Sequence, residues 1–178
     1  MGSIVHRFPH RGDIISVLGV AVFLCHTWTT IGFLNEFSSF ILYLTPGVIG
    51  GIFAYMMAFA LLESIAATAF LVLLSAILPA RWLRDEFSLK GFIALMVAAA
   101  ASILFQKYLT ESFPSILVLL VSSIVPLMLI ALLIAVARSI PRVRAILLNI
   151  QDRLLIMLFV YVPLGIFSLL VVLYRNLL

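Results

Sequence analysis

Two ionisable side chains stand inside runs of residues that otherwise avoid charge. His26 lies in "FLCHTWTT" and Glu63 in "FALLESIAATAF". An imidazole and a carboxylate within hydrogen-bond reach of each other can share a proton, pass one on, or hold a cation. A charge inside a membrane costs about 2.5–3.5 kcal/mol on insertion scales and usually turns toward a partner within the protein. If their two segments cross a bilayer in opposite directions, His26 and Glu63 fall at nearly one depth. Contact between them is therefore the first expectation.

Such a contact has two readings. In the first, Glu63 and His26 bond to each other, or to Thr27, Ser64 and Thr68, and lock adjacent helices. Interhelical polar bonds of this kind average about 0.6 kcal/mol. In the second, the pair carries protons or binds a cation or a polar headgroup. Ala60, Ser64 and Thr68 recur every four residues, a spacing that lets helix backbones approach closely. Ser102, Ser122, Ser123 and Ser168 fall in a comparable layer and read as packing residues whose hydroxyls bond to the preceding turn.

A second group is basic. Arg81, Arg84, Arg138, Arg142, Arg144 and Arg153 fall between apolar runs, beside Asp85, Glu86 and Asp152. Guanidinium groups gathered this way can bind phosphate. Solvated helix ends and ion pairs between loops explain them more simply. His6 and His10 have the four-residue spacing of a metal-binding helix, but Pro9 and Gly12 oppose a helix there. The single cysteine, Cys25, leaves no disulfide within the chain and no cysteine metal cluster. No phosphate-binding loop, dinucleotide fingerprint, zinc-protease helix or serine-nucleophile elbow occurs. No catalytic residue, metal or cofactor is expected.

The elements that hold these groups follow from composition. Hydrophobic residues make up 65% of the 178 and charged residues 10%. Soluble domains carry roughly 25% charged residues, so lipid is the solvent this chain fits. Five runs reach the length of about 20 residues that a ~30 Å hydrocarbon core demands. They cover about 14–34, 52–78, 92–109, 114–137 and 154–174. None alternates as a barrel strand would, so the fold class is an all-α integral membrane protein, a bundle of five transmembrane helices in one domain, 1–178. The first run is too long for a secretory signal and no small-residue cleavage site follows it, so it reads as a retained span.

Orientation follows from the basic residues. Of the eleven, only Lys107 and Arg175 fall on one side; Arg7, Arg11, Arg81, Arg84, Lys90, Arg138, Arg142, Arg144 and Arg153 fall on the other. The N-terminus is expected to be cytoplasmic and the C-terminus outside, in a plasma membrane of the bacterial inner-membrane type. Between spans one and two, "NEFSSFILYLTPGVIGG" predicts a short interfacial helix broken by Pro46, Gly47, Gly50 and Gly51. The segment 138–153 reads as an amphipathic helix on anionic headgroups, or as a plain basic connector. The net charge of +4 thus reports topology, not nucleic-acid binding. Pro126 and Pro163 fall deep in spans four and five and shape them.

For function three readings follow, in this order. The chain is an accessory or assembly subunit of a larger membrane complex, with the lipid bilayer and other membrane subunits, or copies of itself, as partners. Alternatively it is an oligomeric proton- or ion-coupled transporter or channel component using the Glu63 and His26 pair. Alternatively it is a lipid-modifying enzyme that uses the basic rim.

Overall fold

The computed structural model describes residues 8–79, 82–109 and 115–177. Arg81, from the basic group, lies outside them, as do His6 and Arg7. Six helices follow in chain order: α1 (Arg11–Tyr43), α2 (Pro46–Ile77), α3 (Phe87–Leu109), α4 (Ile116–Ser139), α5 (Pro141–Leu155) and α6 (Leu158–Leu177). Among the described residues there is no strand, and five helices are long and apolar enough to cross a membrane. They are α1, α2, α3, α4 and α6, so the chain is a multi-pass membrane protein. The fifth span starts later than expected, because residues 154 and 155 close α5 instead.

The separate interfacial helix does not form. Residues 35–43 contain no proline or glycine, and α1 runs through them unbroken to Tyr43. The chain turns only at Leu44 and Thr45, where Leu44 N–H donates to the Phe40 carbonyl at 2.8 Å. Pro46 then opens α2 in its first turn, where the missing N–H removes no helical bond. Gly47, Gly50 and Gly51 sit within α2 rather than breaking it. With 33 and 32 residues, α1 and α2 each extend about 50 Å at 1.5 Å per residue, well beyond the ~30 Å a bilayer core requires.

The spans are arranged around α1. It packs on α2, α3, α5 and α6, while α2 also packs on α6 and α3 on α4. One end of the bundle carries Arg84, Arg138 and α5 and is called the basic end here. Its core joins Val20 of α1 to Leu89, Phe92, Ile93 and Val97 of α3 and to Ala137 of α4. Gly91 lets α3 close on α1, because a Cβ there would lie 2.7 Å from Cγ2 of buried Val17. At the far end Phe33 meets Phe53 edge-on at 5.0 Å between ring centres, and Tyr55 donates to Asn176 Oδ1 at 2.7 Å. Helix α4 stands apart. It packs on α3 and α5, and much of its apolar surface, from Leu119 to Leu133, is exposed. Pro126 and Pro163 both lie inside continuous helices.

The basic end is closed by an ion-pair clasp. Glu86 precedes α3 with φ at 64°, a left-handed conformation uncommon for a residue with a Cβ. Its carboxylate accepts from Arg138 Nε at 3.3 Å and from Arg144 Nη2 at 2.9 Å, tying α3, α4 and α5 together. Both arginines are about half exposed, and exposed pairs contribute about 0.2–1 kcal/mol. Glu86→Gln is expected to lower the melting temperature in detergent slightly. Glu86→Gly should lose the same pairs but recover part of the loss, because glycine adopts positive φ freely.

Candidate functional site

His26 is wholly buried. Its Nδ1 lies 3.0 Å from the Val22 carbonyl one turn back, which places the proton on that nitrogen. Its ring stacks on Tyr161 of α6, 5.1 Å between centres and 27° between planes. On α6, Gly165 leaves room for it, since a Cβ there would lie 3.2 Å from His26 Nε2 and 2.9 Å from Leu61 Cβ. Nε2 has no hydrogen-bond partner among the described residues. The imidazole is thus a packing element at the junction of α1, α2 and α6.

Glu63 is not on that side. It is exposed and lines a groove of about 410 Å³ that His26 does not line. Helix α1 supplies Thr27 and Trp28 to this groove, and α3 supplies Ser102 and Gln106. The expected bond between His26 and Glu63 does not exist, because one imidazole nitrogen is bonded to Val22 and the other is unpartnered. The direction in which each side chain faces was not legible from the sequence. Among the described residues Glu63 makes no hydrogen bond or ion pair.

The other residues singled out by type divide cleanly. Ser64 donates to the Ala60 carbonyl at 2.6 Å, with the Ala21 carbonyl of α1 at 3.4 Å, and Thr68 donates to the Ser64 carbonyl at 2.8 Å. Both are buried and their hydroxyls are satisfied, so they pack α2 on α1. Ser102, Ser122 and Ser123 likewise donate to carbonyls three or four residues back. In the basic group, Arg138 and Arg144 converge on Glu86, not on an open pocket. Arg84 has interactions of its own. Arg142 and Arg153 are exposed on α5, about 16 Å apart along its axis at 1.5 Å per residue. That separation is too wide for one headgroup-sized pocket.

Trp28, Gln106 and Tyr161 were not singled out from sequence. Only Gln106 carried a signal, as an amide near the end of an apolar run. Trp28 and Tyr161 look like any aromatic residue in a membrane helix until the packing is known. The groove is mostly apolar with a few polar groups, the usual make-up of a binding site. Its lining includes the Glu63 carboxylate, which favours a cation or a hydrogen-bond donor, and the Trp28 indole, a ring type that attracts cations. No protein-family model, curated protein or solved structure matches the chain.

Proposed function

We propose that this protein is a non-enzymatic subunit of a larger membrane assembly, held to its partner through the groove between α1, α2 and α3. The observation that carries this reading is the position of Glu63, exposed and, among the described residues, without a hydrogen-bond or ion-pair partner. Left against lipid it bears a cost of about 2.5–3.5 kcal/mol. A transmembrane helix that presents a lysine, arginine or amide donor to Glu63 offsets that cost and covers the groove. The separation of Glu63 from His26 weakens the transporter reading, which needed them as a pair. The splayed Arg142 and Arg153 weaken the enzyme reading.

The reading includes an orientation. The basic end faces the cytoplasm of a bacterial-type plasma membrane, with the N-terminus inside and the C-terminus outside. Cysteines introduced at positions 142 and 107 should then react with impermeant reagents from opposite sides. Reaction from the same side would reject the arrangement.

The assembly itself is tested by extraction in mild detergent. The wild-type chain should leave the membrane in a complex of defined mass well above its own 19.7 kDa. Glu63→Leu should release it as a monomer, and Glu63→Gln should retain part of the complex through a neutral hydrogen bond. A monomer in every case, or a complex indifferent to Glu63, would refute the proposal.

A further inference from the structure

Helix α5 is amphipathic in a way the spans are not. One face carries Leu147, Leu148 and Leu154, which pack against the core at the basic end. Gln151 on the same face is buried and accepts from Ser88 at 3.0 Å. At 100° per residue, Arg142, Ile146, Asn149, Ile150 and Arg153 fall together on the opposite face. All five are exposed, Ile146 by 58% and Ile150 by 42%. Among the described residues neither Arg142 nor Arg153 makes an ion pair. The nearest acid on α5, Asp152, lies about a quarter-turn off this stripe.

The location of α5 decides what the stripe meets. It packs on α1, α3, α4 and α6, so it covers a flank. Its last residue, Leu155, lies beside Gly19 of α1, with the Leu155 Cα 3.4 Å from where a Gly19 Cβ would be. Gly19 is eight residues into α1, about 12 Å along its axis. The C-terminal end of α5 therefore lies against the third turn of α1, near the basic end of the bundle and about level with the edge of a ~30 Å core. One residue separates α5 from α4 and two separate it from α6, so it cannot lift away. Two isoleucines bracketed by two arginines, held at this level, match the boundary between acyl chains and headgroups. The isoleucines enter the apolar layer, and the guanidiniums reach outward along their stems to phosphate.

We infer that the Arg142–Ile146–Ile150–Arg153 face of α5 is a docking surface for anionic phospholipid headgroups of the leaflet at the basic end. Charge complementarity selects the anionic class, and the two isoleucines require that the phosphate belong to a lipid. The inference is independent of the Glu63 groove, which lies on α1, α2 and α3.

The test reconstitutes the full chain in vesicles of equimolar phosphatidylglycerol and phosphatidylcholine, extracts it in mild detergent, and measures the lipid ratio it retains. The wild type should be enriched in phosphatidylglycerol, and the enrichment should fall with added salt. Arg142→Gln with Arg153→Gln should weaken it by roughly fivefold per arginine. Arg142→Lys with Arg153→Lys should keep most of it. Inorganic phosphate should not displace the lipid. Equal retention of both lipids by the wild type, or enrichment that ignores salt, would overturn the inference without any variant. Displacement by free phosphate would overturn it too, as would unchanged enrichment in the glutamine variant.

Discussion

Gly165→Val is expected to abolish the folded bundle, and Gly165→Ala to damage it more than most single methyl additions elsewhere in the chain. A Cβ at this position meets Leu61 Cβ at 2.9 Å and His26 Nε2 at 3.2 Å. Leu61 Cβ is fixed to the α2 backbone, so no rotamer change removes the first conflict. Helix α6 must move outward, which opens the His26–Tyr161 stack. Overpacking of this kind costs about 1–3 kcal/mol, occasionally more. Gly91→Ala should behave similarly, because its Cβ would lie 2.7 Å from a methyl of buried Val17. Gly51→Ala should be milder, since it meets the mobile guanidinium end of Arg175. Gly47→Ala and Gly50→Ala have open space around them and should be neutral or slightly stabilising, in line with alanine's better helix propensity. Monodisperse yield and melting temperature in detergent check this order. Equal tolerance at all five positions would contradict the packing described above.

Glu63→Leu is expected to act in opposite directions on the isolated chain and on its assembly. In the isolated chain the carboxylate is exposed and, among the described residues, unpaired, so leucine removes no internal contact and puts an apolar side chain where a charge is disfavoured. The purified monomer should become more heat-resistant. The complex should disappear, because its polar anchor is gone and the partner's own donor is left without an acceptor. A carboxylate that locked two helices within this chain would give the reverse for the monomer, a loss of stability. The sign of the monomer's shift therefore separates an outward-facing role from an internal one. His26→Phe supplies the comparison. It removes a buried group that stacks on Tyr161 and bonds to Val22. It should lower monomer stability by about 1–3 kcal/mol while leaving the groove residues unchanged.

The spans were legible because length and hydropathy are properties of a segment taken alone. Five long apolar runs became five long apolar helices, with ends displaced by up to nine residues, the most at the end of α1. What failed depended on direction around the helix axis. Helix α1 is apolar on nearly every side, so nothing in its sequence distinguishes the face of Val22 and His26 from the face of Leu24, Trp28 and Ile31. In a soluble helix the polar face would have told them apart. Only neighbouring helices decide it in lipid, and those contacts are long-range. The same reason hid Trp28 and Tyr161. The interfacial helix was misread for a local reason: the apolar middle of residues 35–51 suggested a separate element. With no breaker before Pro46, however, α1 had no reason to stop before Tyr43. The helical period of 138–153 was readable because polar and apolar residues alternate around it, as they do on soluble helices, although the sequence left it equally a plain basic connector.

The most direct test of the Glu63 groove as an interface is a photo-activatable residue placed at Ser102, activated in intact membranes. A second chain carrying it at Leu133, on the exposed surface of α4, serves as reference. Ser102 is expected to yield one adduct of defined mass. Its partner should carry a basic or amide residue within a transmembrane segment, and Glu63→Leu should eliminate the adduct. Adducts to lipid alone from Ser102, or the same protein adduct with Glu63→Leu in place, would contradict that interface.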